Sequence, residues 1–501
     1  MRRVDIRVEA AEGRLTASTA PPTPLSLLWS RICAQPVTVF LLLSLAFGSL
    51  VICATPPLRG PDEIAHFLRV YSYARGEVLP PAEIDGRKGI FIEHELNDQL
   101  QFFRSAGEWF ARAREDGVRY GQIMAVYRDA TRPNDDVSGQ AAVFAPFAGT
   151  EGYNPVAYIP YIIAAAIGRL FGLNFPDMLL LMRFLGLATF TAIAAYAVAV
   201  TPALKWAFVL IALLPVSLYN RSVLSADGAA LSTAMAITAL CLRAAWQPAA
   251  GRVWERSLWM TLCALSKQPQ IGFLLLEMMV FRLRELPRRW ASVAAVALPS
   301  IILSPLWVWA VSAEIAVWRL QEEEHHPPEH FDPVWKLFYM WEHPFQFPLA
   351  TWRAISVWGD RLWQELIGIV GWQDIPLQPW VYILLTILLL LLPLQKLQLS
   401  NAERVRVTVI SGLVVLGYVT LVYLIFFLIY TPLDVDHVRG VQGRYFVIAL
   451  PVAAIFIAGL INRDLPRGMP AAIAIAGSLI SGVATAGALF YAHWYRGGSD
   501  D

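Results

Sequence analysis

The chain has 501 residues, of which 56% are hydrophobic and only 16% are charged. Soluble domains carry roughly 25% charged residues, so this composition excludes an ordinary soluble enzyme. The formal net charge is +1, which argues against a nucleic-acid partner because phosphate binding needs a basic excess on one surface. Apolar runs of about 20 residues, long enough to cross a bilayer, recur along the chain. The sequence therefore predicts an all-α polytopic membrane protein.

Cofactor motifs are missing from this sequence. The four cysteines lie singly in or beside apolar stretches, without the paired spacing of a metal or redox motif. No glycine-rich phosphate loop follows a strand pattern. We therefore expect neither a redox cofactor nor a nucleotide cofactor.

Three regions follow along the chain. Residues 1–36 contain several arginines and prolines and predict a flexible cytoplasmic tail rather than a cleaved signal peptide. A transmembrane domain then covers residues 37–491, and a short tail covers 492–501. We expect about eleven spans from the hydropathy windows. These windows are 37–54, 155–172, 180–200, 203–219, 227–246, 257–281, 291–311, 380–394, 407–430, 445–461 and 470–491.

Basic residues predict the orientation, because short cytoplasmic loops are enriched in them. They gather on the same side as the amino-terminal tail, in three loops: Arg282, Arg284, Arg288 and Arg289; Lys396, Arg404 and Arg406; and Arg463 and Arg467. We therefore expect a bacterial cytoplasmic (inner) membrane protein with a cytoplasmic amino terminus. Two long loops, 55–154 and 312–379, would then be extracytoplasmic. Trp341, Trp352, Trp358 and Trp372 indicate that these loops lie on the membrane surface or on each other.

One apolar region, Trp254 to Phe281, allows two interpretations. It is long for a single span, and Lys267 lies near its middle with Gln268, Pro269 and Gln270. A charge on a lipid-exposed helix is costly. The region is either one span or two short half-helices that meet at Lys267, and the second arrangement changes the side assigned to residues 201–256.

The first candidate motif follows the first span and runs from Pro61 to Arg69. Pro61 suits the first turn of a helix, and acids suit its positive end. The spacing of Asp62, Glu63, His66 and Arg69 predicts that two carboxylates, an imidazole and a guanidinium share one helix face. Asp62, Glu63 and His66 could hold a divalent cation, or a carboxylate could take a proton from a hydroxyl. Alternatively, the acids only cap the helix and Arg69 pairs locally.

Other charged residues lie at the ends or inside apolar spans. Asp227 is either a helix cap or a group that faces a polar cavity. Lys267 predicts a cavity or a partner, with snorkelling to the interface as the alternative. Arg444 suits bidentate phosphate binding and Tyr445 is an interfacial aromatic, although both could be simple anchors. The acids and histidines of residues 322–332 favour a solvated loop over a metal site.

Several of these motifs together resemble one known family. They are Pro61-Asp62-Glu63 with His66, Tyr153-Asn154-Pro155 with Tyr158 and Pro160, Ser225-Ala226-Asp227, and Gly440 to Phe446. Over residues 37–490 the chain resembles a bacterial family of membrane proteins catalogued as domain of unknown function 2142. The layout also resembles the wider superfamily of membrane glycosyltransferases with the GT-C fold.

The second resemblance implies a function and a set of roles. GT-C enzymes keep acids in the first extracytoplasmic loop and use polyprenyl-phosphate-linked sugars as donors. By that resemblance, Asp62 or Glu63 is the base or metal ligand and Asp227 is a second acid near the site. Lys267 and Arg444 would neutralise the donor phosphate, and we expect Tyr445 and Arg69 to contact it as well. The acceptor would be a glycan, a lipid or a protein, and the alternatives are a flippase for lipid-linked saccharides or a non-catalytic assembly component.

Overall fold

The computed structural model describes residues 32–85, 87–116, 142–247, 251–281, 283–311 and 328–495. Within these residues, seven helices are long and apolar enough to cross a membrane. The all-α polytopic fold is therefore confirmed. Most of the predicted amino-terminal tail, the short tail after residue 495 and residues 322–327 lie outside the described ranges.

The helices of the described residues are named in chain order. The first eight are α1 (Pro36–Ala54), α2 (Glu63–Ala74), α3 (His94–Asp116), α4 (Ile159–Leu170), α5 (Phe175–Val200), α6 (Lys205–Ala212), α7 (Pro215–Ser222) and α8 (Asp227–Trp246). The rest are α9 (Val253–Ser266), α10 (Leu286–Val311), α11 (Pro333–Glu342), α12 (Gln346–Ile367), α13 (Pro379–Leu391), α14 (Asn401–Tyr430), α15 (Leu450–Ile461) and α16 (Met469–Phe490).

Shorter elements connect these helices. In the part of the chain that the structure describes, five strands lie in the loops between apolar helices: β1 (Ala82–Ile84), β2 (Arg87–Ile92), β3 (Val143–Pro146), β4 (Ile369–Val370) and β5 (Ile375–Pro376). The first three form an antiparallel sheet in the order β1-β2-β3, and the last two form a small hairpin. Segments of 3₁₀ helix include Pro155–Tyr158, Gln268–Met279 and Gly443–Ala449.

Most predicted windows correspond to apolar helices. Seven of them match the long candidate spans, and the windows at 155–172 and 380–394 match the shorter apolar helices Pro155–Leu170 and Pro379–Leu391. The window at 203–219 is divided between α6 and α7. Pro215 begins the second of these helices, because proline fits the first turn but interrupts a helix interior.

The region from 254 to 281 is a helical hairpin rather than one span. α9 ends at Ser266, and Lys267 has an extended backbone with φ −150° and ψ 136°. The following 3₁₀ segment returns beside α9, since Arg256 Nε donates to Glu277 Oε1 at 2.6 Å. The alternative of two segments that meet at Lys267 is therefore confirmed, and Lys267 lies at the tip.

The bundle has two ends, which we name the site end and the tail end. α1 runs from Pro36 at the tail end to Ala54 at the site end. α5 runs in the opposite direction, because Arg183 Nη1 donates to Thr55 O at 2.6 Å and Thr191 Oγ1 bonds Ser44 Oγ at 2.8 Å. Lys267 bonds Asp227 at the site end, so both arms of the hairpin reach towards the tail end.

The predicted basic loops gather at the tail end. α15 begins near Arg444, at the site end, and runs away from it. The loops at its far end meet, since Lys396 N donates to Asp464 Oδ1 at 2.7 Å and Arg404 Nη1 donates to Gly459 O at 2.7 Å. Residues 283–285, which connect the hairpin to α10, lie at the same end because the second arm of the hairpin runs towards it. Arg282 lies outside the described residues. The basic loops therefore share one end with the start of α1, as the sequence predicts.

α8 is the central helix and fixes one residue of the site. Nearly all of its side chains are buried, which is expected where an apolar helix packs against other helices on all sides. Asp227 is its first residue. The packing of α8 therefore holds Asp227 at the site end of the bundle.

Candidate functional site

Four charged side chains meet at the site end of the bundle. Arg444 Nη2 lies 3.7 Å from Asp62 Oδ2, and its Nη1 lies 3.7 Å from Asp227 Oδ2. Lys267 Nζ pairs with Asp227 Oδ1. These residues come from the loop before α2, the start of α8, the hairpin tip and the segment before α15. We call Asp62, Asp227, Lys267 and Arg444 the charged cluster.

Asp62 is the most open member of the charged cluster. Its side chain is 53% exposed, whereas the side chain of Arg444 is 10% exposed. Its backbone is left-handed, with φ 53°. Aspartate tolerates this conformation better than most residues, but such backbone strain is concentrated at functional sites. The structure therefore places the solvent-exposed carboxylate of Asp62 beside the nearly buried guanidinium of Arg444.

Glu63 has a different environment from its neighbour Asp62. It is buried, and it accepts hydrogen bonds from Arg183 Nε at 2.8 Å and from Arg183 Nη2 at 2.6 Å. The backbone N–H groups of Gly60 and Leu224 donate to it as well, at 3.1 and 3.0 Å. This corrects the expectation that Glu63 shares a face with Asp62. Glu63 instead ties the first loop to α5 and to the turn before α8.

His66 is buried among aromatic side chains and is not a member of the charged cluster. Its Nδ1 is 2.5 Å from Tyr158 Oη, and its ring lies 5.4 Å from the ring of Tyr153. Burial lowers the pKa of His66 to about 4, although the carboxylates of Asp62 and Asp227 act in the opposite direction. His66 is therefore a neutral imidazole near neutral pH.

Arg69 lies further along α2 and is also surrounded by aromatic rings. It is fully buried, its Nη2 donates to Val78 O at 2.8 Å, and its guanidinium lies 4.2 Å from the ring of Tyr73 and 5.0 Å from that of Phe147. Burial lowers its pKa. The structure therefore places Arg69 among aromatic rings and not with Lys267 and Arg444, where the expected donor-phosphate contact would need it.

The expected metal ligands are not brought together. Glu63 faces Arg183 and His66 faces Tyr158, so Asp62, Glu63 and His66 do not converge on one point. Within the described residues, no three metal-ligating side chains form a group. The residues present do not fit a cation held by that trio.

The described end of the acidic segment 322–332 makes contacts within the fold. His330 Nδ1 lies 3.6 Å from Asp434 Oδ1. Asp332 Oδ1 caps α11, since it accepts from the N–H of Val334 at 2.7 Å. These contacts agree with the loop interpretation of this segment.

Tyr445 lies beside both cations of the cluster. Lys267 Nζ is 4.9 Å from the centre of its ring and Arg444 Cζ is 5.5 Å from it. A cation over an aromatic face is attracted by the ring quadrupole. Tyr445 therefore supports the positions of both cations.

A turn that sequence reasoning missed connects two parts of the site. Arg59 Nη2 pairs with Asp374 Oδ2 at 2.5 Å, and Gln373 Nε2 donates to Gln442 Oε1 at 2.7 Å. The same Gln442 oxygen accepts from Arg444 Nε at 2.7 Å. The turn of the β4–β5 hairpin thus holds the segments that carry Asp62 and Arg444. No local motif marks it, because its partners are distant in the sequence.

Comparison with known proteins gives a match to one family model. Residues 45–455 match a family model described as predicted membrane protein, DUF2142. This range includes all four members of the charged cluster. No curated protein and no solved structure matches the chain.

Proposed function

The chain belongs to the DUF2142 family of predicted membrane proteins, and we propose that it is a membrane glycosyltransferase. It moves a sugar from a polyprenyl-phosphate-linked donor to a hydroxyl of a surface polysaccharide, lipid or protein. The reaction takes place on the extracytoplasmic face of a bacterial inner membrane, with the amino terminus in the cytoplasm. One observation carries this proposal: the open carboxylate of Asp62 lies 3.7 Å from Arg444, beside a second cation, Lys267.

The two cations bind the phosphate of the donor. The Arg444 guanidinium grips it bidentately, and Lys267 adds a second positive charge. Both are held by Asp227, so they need little rearrangement when the substrate arrives. Preorganised charges of this kind stabilise the negative charge that develops on a leaving phosphate.

Asp62 acts as the general base. The acceptor oxygen forms a bond to the anomeric carbon of the sugar while the bond from that carbon to the phosphate oxygen breaks. The electron pair of the broken bond remains on the polyprenyl phosphate, and the acceptor proton passes to the Asp62 carboxylate. A single displacement inverts the anomeric centre. A well-placed base contributes typically ~10²–10⁴-fold to the rate.

The predicted divalent cation takes part in none of these steps. Its expected ligands include Glu63, whose oxygens bond to Arg183 and two backbone N–H groups. We expect sugar transfer by the purified protein to continue after exhaustive chelation. Loss of transfer that returns with added Mg²⁺ or Mn²⁺ would restore the cation to the mechanism.

The central test is a complementation experiment in a strain that lacks the gene. The strain receives wild type, Asp62→Asn or Asp85→Asn at matched protein levels, and its surface glycans are compared by mass spectrometry. Asp85 is a matched control because it is also exposed and left-handed, with φ 51°, but lies in the β1–β2 turn. We expect wild type and Asp85→Asn to restore a sugar modification and Asp62→Asn to lower it at least ~10²-fold. Full restoration by Asp62→Asn would overturn the proposal.

A flippase for lipid-linked saccharides is the alternative, and the hairpin with Lys267 at its tip favours it. Transporters also build their substrate sites from discontinuous helical segments. Transfer of a labelled sugar to an acceptor by the purified protein in detergent separates the two, because no transport takes place in a micelle. A non-catalytic component of a polysaccharide assembly complex would tolerate Asp62→Asn.

A further inference from the structure

Helix α12 presents three different faces. Successive side chains on a helix are about 100° apart, so Ala350, Ala354 and Glu365 fall on one side, and all three are buried. A second side holds Arg353, Ser356 and Asp360, which are exposed and polar. The exposed Leu349 falls on this side too, and the exposed Val357 lies between it and the buried side. The third side is exposed and apolar. A helix that packs on the protein with one side and faces water with the others would not be expected to have an exposed apolar side.

The apolar face of α12 is defined by Trp352, Ile355 and Trp358. These side chains are 68%, 40% and 50% exposed. The preceding helix α11 carries a similar face, since its Trp335, Phe338 and Trp341 are also exposed and follow the same spacing of three residues. Large exposed apolar patches mark sites that bind a protein or a membrane.

α12 lies across the site ends of the apolar helices. Its Phe347 ring is 5.5 Å from the ring of Phe427, in the last turn of α14. Its Trp363 Nε1 donates to Thr386 Oγ1, within two turns of the start of α13, at 2.9 Å. A helix with such contacts lies near the depth at which the spans end, where the hydrocarbon of a membrane gives way to its headgroups.

From these observations we infer that α12 is an interfacial helix whose apolar face, Trp352, Ile355 and Trp358, lies among the lipids of the leaflet on the site side. Tryptophan is enriched at this depth, and a helix with one apolar and one charged face lies in the plane of the interface. Exposed Trp380, in the first turn of α13, is a further tryptophan near the end of an apolar helix. This inference does not depend on the proposed reaction.

The same helix braces the charged cluster. Glu365, in the last turn of α12, accepts a hydrogen bond from Gly443 N at 2.7 Å, and Gly443 directly precedes Arg444. Arg361 also pairs with Glu365 at 2.8 Å. A helix anchored in lipid is thus joined by one carboxylate to the backbone that carries Arg444.

Spin labels at two adjacent positions test the inference. In a background with Cys33→Ala and Cys53→Ala, the remaining cysteines, Cys241 and Cys263, are buried. Nitroxide labels are attached through Ile355→Cys on the apolar face or Ser356→Cys on the polar face. The protein is reconstituted in phosphatidylcholine and phosphatidylglycerol vesicles, and relaxation by oxygen, which partitions into lipid, is compared with relaxation by a water-soluble nickel chelate.

We expect the ratio of oxygen to nickel accessibility to be several-fold higher at position 355 than at position 356. Two labels that both favour nickel would place α12 in water, and two labels that both favour oxygen would bury its polar face in lipid. A label at 355 shielded from both reagents would mean that protein, such as a second copy of the chain, covers the face. Each of these three results overturns the inference. Unchanged elution of both labelled proteins in detergent shows that the labels have not disturbed the fold.

Discussion

Asp62 and Glu63 are neighbouring acids with opposite surroundings. Asp62 is open to solvent, whereas Glu63 is enclosed by Arg183 and two backbone N–H groups. The difference arises because Asp62 lies before the helix in a left-handed conformation and Glu63 is the first helical residue. This division of roles separates the proposed base from a residue that holds the site together.

Glu63→Gln is expected to destabilise the fold. Removing one partner of a buried ion pair leaves the other charge uncompensated, which costs about 3–5 kcal/mol. The control is Glu83→Gln, which removes a pair between Lys88 and the 52% exposed side chain of Glu83 and should cost less than about 1 kcal/mol. Chemical denaturation in detergent measures both free energies of unfolding. Equal losses in the two variants would contradict the structural role of Glu63.

His66 is expected to make stability depend on pH. Burial lowers its pKa to about 4 in the folded protein, whereas an unfolded histidine titrates near ~6.5. The unfolded state therefore binds the extra proton between these values, and the free energy of unfolding falls as the pH is lowered through this window. The loss approaches about 3 kcal/mol below the lower pKa.

Denaturation of His66→Asn at a series of pH values tests this prediction. The substituted side chain cannot titrate, so the fall in stability between about pH 6.5 and pH 4 should be much smaller than in wild type. His94→Asn, on α3 and outside the cluster, is the control and should keep the wild-type slope. A His66→Asn profile that is parallel to wild type would refute the assignment.

At the scale of elements, the hairpin shows that hydropathy alone does not distinguish a single span from two segments that turn back. A window of apolar residues has the same mean hydropathy whether the chain crosses once or turns back. The signals for the turn are Lys267 and Pro269, which a lipid-exposed helix does not accommodate. The pairing of Arg256 with Glu277, which fixes the two arms side by side, is a tertiary contact that the sequence does not reveal.

The hairpin predicts that both of its outer ends lie on one side of the membrane. In the cysteine-reduced background described above, Arg252→Cys and Arg284→Cys place single exposed thiols before α9 and after the 3₁₀ segment. A membrane-impermeant maleimide should label both thiols from the same side. A single span would put them on opposite sides, so labelling of each from a different side would contradict the hairpin.

For the whole molecule, local patterns predicted the helices and distant pairings assembled the site. Long apolar runs fix where seven helices lie, because their lengths match a bilayer. The contacts that close the site join residues far apart in the chain: Arg183 is 120 positions from Glu63 and Arg59 is 315 from Asp374. The sequence therefore predicted which charges lie at the ends of spans, but not that Glu63 and Arg69 would lie outside the charged cluster.

The orientation of the whole bundle is the last prediction. Basic loops gather at the tail end, and such loops are retained in the cytoplasm, so the charged cluster should face the other compartment. In the same background, Glu83→Cys puts an exposed thiol on the sheet beside the site end, and Lys396→Cys puts one at the tail end. In intact spheroplasts an impermeant maleimide should label position 83 but reach position 396 only after permeabilisation. The reverse pattern would place Asp62 in the cytoplasm, where a lipid-linked donor of the extracytoplasmic leaflet could not reach it.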